Sequence, residues 1–295
     1  MHDKSCSDTA DAPASSARLS VLLAPVFCVI SMFSIQLGGA LSRPVLAGYG
    51  TLSTTWLRLC VAALILLVIV RPSFRRWTRA RWRVTTALGV AMAGMTYCYF
   101  ESVQHVPMGL TVAINFMGPL VVSVAGVRHL RTLLWPALAA LGVVMLARHD
   151  GEWAVDDLRT LLYPAGAAVC WALYIILMKH TGGQSEGLDG LTASVCVAAL
   201  VFTPFALMQG GGHITAGLFF DAAWLALLVP LVPYVLELTA LRHMTSSSFG
   251  TLMSAEPAVA AMTGYFLLSQ SLGALQTAGV LCVVAASAGA VLQKQ

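Results

Sequence analysis

The stretch Phe249-Gly-Thr-Leu-Met-Ser-Ala-Glu-Pro-Ala-Val-Ala-Ala-Met-Thr-Gly-Tyr-Phe-Leu-Leu268 carries a single formal charge, and a proline follows that charge directly. An apolar stretch of about 20 residues is the length of α-helix that crosses ~30 Å of hydrocarbon. A carboxylate in the middle of such a helix costs at least ~2.5 kcal/mol on insertion scales, so Glu256 calls for a functional explanation. Pro257 removes a backbone donor and distorts the helix that carries it. The stretch reads as a membrane helix interrupted where its one acid sits.

Apolar runs of similar length recur on both sides, at 19–41, 52–70, 84–104, 109–127, 133–147, 159–180, 188–208, 219–241, 247–268 and 272–292. Of the 295 residues 58% are hydrophobic and 10% are charged, against about a quarter charged in soluble domains. The expected fold class is an all-α integral membrane protein of ten transmembrane helices. Residues 1–18 are polar and Ser/Ala-rich, which predicts a disordered tail. The run that follows exceeds a signal-peptide core and is expected to stay uncleaved. All cysteines but Cys6 fall inside the runs, where a thiol packs as a small apolar group, and no disulfide or metal-ligand spacing is present.

Placing the N-terminus inside assigns 13 of the 17 Lys and Arg residues to the inner side, and only Arg43, Arg148 and Arg159 to the outer side. The positive-inside rule then predicts both termini cytoplasmic. The basic, aromatic run Arg71-Pro-Ser-Phe-Arg-Arg-Trp-Thr-Arg-Ala-Arg-Trp-Arg83 has a composition also used against nucleic acid. Between two spans it reads as a topology anchor.

A shift of 138 residues lays span 1 on span 6 and span 4 on span 9, with Pro119 on Pro257, His105 on His243 and Phe33 on Trp171. A unit of five spans ends on the opposite side from its start, so a second copy enters inverted, as in many secondary transporters. The expected organisation is the tail, a first repeat over 19–148 and a second over 159–292.

Four charged residues fall within spans: Arg58, Glu101, Glu237 and Glu256. Arg58 and Glu101 reach similar depth on spans 2 and 3 and could pair; a structural ion bridge is as consistent with that pair as a role in transport. Glu237 sits near the inner end of span 8, where it could also snorkel to the interface. Glu256, at mid-span, is the leading site residue. Carbonyls freed at Pro257 and at Gly118-Pro119 are tolerated only where protein or a wet cavity satisfies them, so both breaks are expected to face inward. Asn115, beside the first break, offers a donor and an acceptor to a zwitterion, and equally to another helix. Helical spacing groups Tyr97 with Glu101, Tyr234 with Glu237, and Trp171 with Tyr174; such stripes serve packing more often than ligands. A mid-membrane carboxylate can take up a proton, which makes a coupling-ion role possible, although composition does not choose proton from sodium. No phosphate-binding Gly loop, Ser/His/Asp set or metal cluster is present, which speaks against an enzyme and gives no cofactor or metal to expect.

The segments Ala93-Gly-Met-Thr-Tyr-Cys-Tyr-Phe-Glu-Ser-Val-Gln-His-Val-Pro107, Asn115-Phe-Met-Gly-Pro119, Ala168-Val-Cys-Trp-Ala-Leu-Tyr174 and Phe249-Gly-Thr-Leu-Met-Ser-Ala-Glu-Pro-Ala258 resemble the EamA family of the drug/metabolite transporter superfamily. The resemblance runs from about Leu22 to Ala290 and is most specific around Glu256-Pro257. It implies ten helices in two inverted EamA repeats, alternating access, and proton-driven export of small amino acids such as threonine and homoserine across a bacterial inner membrane. It also carries over Tyr234, Glu237, Gly250, Thr251, Glu256 and Pro257 from the second half, with Trp171 and Tyr174. The alternatives are another small metabolite or a cationic drug on the same fold, which an acidic aromatic pocket would also suit, and, outside carriers, a channel or a membrane enzyme.

Overall fold

The computed structural model describes residues 12–124, 134–146, 148–149, 152–153, 157–182, 188–210, 215–243, 252–253 and 255–292. Among these the chain is helical apart from short turns and one small hairpin, in which Arg148–His149 pairs with Glu152–Trp153. The helices are α1 (Ala12–Tyr49), α2 (Thr51–Val70), α3 (Arg79–His105), α4 (Met108–Asn115), α5 (Met117–Val124), α6 (Leu134–Leu146), α7 (Leu162–Gly182), α8 (Asp189–Gly210), α9 (Ala216–Ala226), α10 (Val232–His243), α11 (Glu256–Leu268) and α12 (Ala274–Leu292).

Among the described residues five helical stretches are long and apolar enough to cross a membrane unaided, and three shorter ones are mainly apolar. Hydropathy averages across breaks, so it joined pieces that the backbone separates. The fourth expected span is α4 and α5, divided at Phe116. The eighth is α9 and α10, divided by a wide turn over Leu227–Leu231 in which Val229 is extended (φ −148°, ψ 118°). Helix α1 starts at Ala12, inside the tail expected to be disordered: Ala-rich sequence favours helix, and Pro13 in the first turn has no intrahelical bond to lose. Residues 1–11 lie outside the described residues.

The neighbours follow a regular scheme. Helix α3 packs on α7 and α1 on α10; α3 packs on α8 and α2 on α9; α4 and α5 pack on α7 and α11 on α1. Each of these pairs exchanges with its partner when the halves are swapped. The pairs α2 with α8, α4 with α11 and α6 with α12 map onto themselves. Large apolar side chains such as Ile69, Phe220 and Phe266 remain exposed around the outside, as a lipid-facing surface requires.

Close approach depends on small residues at the crossings. A Cβ on Gly118 would stand 2.1 Å from the carbonyl oxygen of Ala168, where α5 meets α7, whereas one on Gly48 would meet nothing within 4 Å. Gly118→Ala is therefore expected to lower stability by about 2 kcal/mol through overpacking. Gly48→Ala should leave it unchanged or slightly raised, since Ala is the better helix former. Thermal unfolding of both variants in one detergent checks the contrast.

Candidate functional site

Several of the candidate residues lie where helices are interrupted. Helix α11 begins at Glu256, with Pro257 in its first turn, and Pro257 leaves the carbonyl of Met253, four residues back, without its helical donor. In the other half, Pro119 does the same to the carbonyl of Asn115, the last residue of α4. Glu256 is 3% exposed. Its Oε1 accepts a hydrogen bond from Gln36 Nε2 at 3.1 Å, and its Oε2 is buried with no partner. Gln36 is fixed in turn by the Tyr99 hydroxyl, which donates to Gln36 Oε1 at 3.4 Å.

Glu237, on α10, is 5% exposed, so it lies in the core and does not snorkel. It accepts a hydrogen bond from Ser31 Oγ at 2.8 Å. Ser31 and Gln36 both lie on α1, so one helix binds the two acids, and Tyr234 shares α10 with Glu237. Among the described residues neither acid forms an ion pair. The rings of Tyr174 and Tyr234 stack at 5.9 Å, and the Tyr234 hydroxyl shares a hydrogen bond with Thr96 Oγ1 at 3.4 Å. Trp171 meets Phe116 edge to face at 5.6 Å. Asn115 Oδ1 and the Tyr174 hydroxyl are both buried without partners. Three unpartnered polar atoms thus sit on residues that sequence reasoning singled out, within a core where an unmade hydrogen bond costs ~1–3 kcal/mol.

Other expected members stand apart. Thr251 and Gly250 lie outside the described residues. Tyr97 rests on Phe202, at the edge of the apolar cluster that holds Trp171, Tyr174 and Tyr234. The pairing of Arg58 with Glu101 does not form. Glu101 is partly exposed and lies 3.5 Å from His105 on its own helix. Successive residues on a helix point about 100° apart, and it is Phe100 whose ring faces Arg58, with the guanidinium carbon 4.1 Å from the centroid.

Arg58 is 1% exposed and bound by neutral groups. Its Nη2 and Nε donate to the carbonyl of Val229 at 2.7 and 3.2 Å, Nη2 also to Leu225 at 3.4 Å, and Nη1 to Ser42 Oγ at 2.7 Å. The cause lies in the sequence of the broken helix. The helical donor for the Val229 carbonyl would be residue 233, which is a proline, and Pro230 likewise offers nothing to Ala226. Arg58 takes up the carbonyl of Val229, and Ser34 Oγ takes up that of Leu228 at 2.7 Å.

Two relatives put this arrangement in context. The threonine/homoserine exporters RhtA of Escherichia coli (strain K12) and of Salmonella typhimurium (strain LT2) are each 32% identical to this chain over 290 residues, spanning 95% of both partners. The profile of the EamA-like transporter family matches residues 158–292. The chain belongs to the EamA-like transporter family. It is a multi-pass membrane transporter and not an enzyme. A solved crystal structure overlays on 92% of this chain and 99% of its own length at a TM-score of 0.63 and 14% identity, which shows a shared fold.

For an EamA transporter, the unforeseen residues are Gln36, Ser31 and Tyr99. A signal for two of them was present in the 138-residue shift, which lays Gln36 on Tyr174, Tyr99 on Glu237 and Thr96 on Tyr234. Gln270 was also unassigned, and its Oε1 accepts from the Met108 N–H at the start of α4, at 3.1 Å.

The two environments of Arg58 and Glu101 separate by mutation. Arg58→Met, which strands the Val229 carbonyl, is expected to lower stability by about 2 kcal/mol. Glu101→Gln is expected to stay within about 0.5 kcal/mol of the parent. Equal losses in thermal unfolding would restore the ion pair that the geometry rejects.

Proposed function

We propose that this protein exports small amino acids of the threonine and homoserine kind, in exchange for protons, through a site formed by Glu256, Glu237, Asn115, Tyr174 and Tyr234. The observation that carries this reading is the set of buried atoms without partners, Glu256 Oε2, Asn115 Oδ1 and the Tyr174 hydroxyl, beside a second carboxylate that has no cation partner among the described residues. A small zwitterion with a hydroxyl supplies what they lack: its ammonium group meets the acids, and its hydroxyl and carboxylate meet the tyrosine and the amide. The 32% identity to exporters named for threonine and homoserine supports the cargo class.

Two carboxylates in one apolar site repel each other, and either a proton or an ammonium group relieves the repulsion. That competition supports exchange of one for the other. The swapped packing pairs, α3 with α7 and α1 with α10, support ten spans in two inverted repeats over 19–148 and 159–292. The charge count supports both termini being cytoplasmic, in a bacterial inner membrane. In this reading the broken helices at Phe116 and Glu256 rock against the opposite half to expose the site to each side in turn.

An organic cation is the second reading, favoured by the same unpaired acids and by the stacked tyrosines. Flux of labelled threonine and homoserine into inverted vesicles, with and without an imposed pH gradient, separates the two. Saturable uptake that rises with the gradient is expected. It should fall at least about tenfold in Glu256→Gln, the effect of losing about 1.4 kcal/mol, and remain near wild type in Glu101→Gln. Movement of neither amino acid under either condition would end the proposal; movement of a labelled organic cation instead would establish the second reading.

A further inference from the structure

The connection between α2 and α3 plays no part in the site above, and it has a defined shape. Six of its thirteen residues from Arg71 to Arg83 are arginine and none is acidic. Arg71 ends α2 in the left-handed region (φ 49°), and its Nε donates to the carbonyl of Val68 at 3.3 Å. Phe74 packs on Trp77 at 5.0 Å and on Trp82 at 5.6 Å, and the two tryptophans lie 5.0 Å apart. The Arg81 guanidinium lies 4.0 Å over the Trp77 ring, while its Nε is buried and lacks a hydrogen-bond partner. Thr78 caps α3 by accepting from the Arg81 N–H at 3.2 Å, which holds the aromatic knot at the foot of the helix.

The depth of this knot follows from its neighbours. Val68 and Ile69, the latter 71% exposed, end the outward apolar surface of α2 immediately before Arg71, so the arginines start where hydrocarbon stops. Arg75, Arg79 and Arg83 are exposed. Among the described residues none of these arginines meets a carboxylate.

We propose that the knot is a binding surface for anionic phospholipid headgroups, with the Phe74, Trp77 and Trp82 rings as a rigid platform and Arg75, Arg79 and Arg83 as phosphate donors around it. Net charge alone would serve topology with any arrangement of basic residues. Preorganised rings lower the cost of gathering several donors on one headgroup, tryptophan is at home at the membrane interface, and the planar guanidinium fork matches phosphate oxygens in pairs. An anionic surface attracts each such residue separately, so three together make the lipid requirement readable.

The test uses the full chain in nanodiscs of phosphatidylcholine, with and without about a third of phosphatidylglycerol, a composition that gives a strongly anionic surface. The unfolding midpoint is expected to rise by several degrees with the anionic lipid, and the rise to vanish in R75Q/R79Q/R83Q. It should also shrink for wild type at about 1 M salt, where the screening length is about 3 Å, a readout that stands even if the triple variant folds poorly. Inorganic phosphate added to pure phosphatidylcholine discs should not reproduce it. No rise in wild type, a full rise in the triple variant or at high salt, or the same rise with free phosphate would each overturn the proposal.

Discussion

A backbone carbonyl that loses its helical donor inside a membrane has no water to turn to, and the interior of this protein is arranged around that constraint. Prolines at 119, 230, 233 and 257 withhold the donors that the carbonyls of Asn115, Ala226, Val229 and Met253 would have used. Around the broken segment of α9 and α10 the repair is complete enough to trace: Arg58 takes Val229 and Leu225, and Ser34 takes Leu228. Polar side chains drawn in to serve backbone give the core its hydrogen-bonding character. The acids share that core, bonded by Ser31 and Gln36 from the same helix that supplies Ser34 and Ser42.

The halves are alike in how they pack and different in how they are charged. Gln36 with Tyr99 on one side corresponds to Tyr174 with Glu237 on the other under the 138-residue shift, and Thr96 meets its own counterpart Tyr234 across the interface. Glu256 corresponds to Gly118, which lies flush against α7 at the carbonyl of Ala168. Arg58 corresponds to Cys196 and Pro230 to Met92. The buried cation, Arg58, therefore comes from the first half of the chain, whereas the broken helix it serves and both buried acids come from the second.

Much of this was legible in the sequence because membrane insertion writes strong signals. Apolar length and charge placement gave the class, and a charge price of a few kcal/mol singled out Glu237, Glu256 and Arg58, all of them buried in the fold. Partner choice was not legible. Similar depth made Arg58 and Glu101 look like a pair, but depth does not fix azimuth, and α3 turns Phe100 towards the guanidinium instead. Uncharged partners such as Gln36 and Ser31 carry no insertion penalty large enough to notice. The turn at Val229 was written as two prolines three residues apart, a signal that an averaged hydropathy window passes over.

The central claim is that the unpartnered groups at the helix breaks are where cargo sits, reached from each side of the membrane in turn. Phe116→Cys, at the first break and outside the groups proposed to hold cargo, in a background with the native cysteines replaced, tests it most directly through its rate of maleimide labelling from either face. The account predicts labelling from both faces in an actively cycling membrane and protection by threonine or homoserine. Labelling from one face under every condition, or a rate that neither amino acid changes, would contradict it.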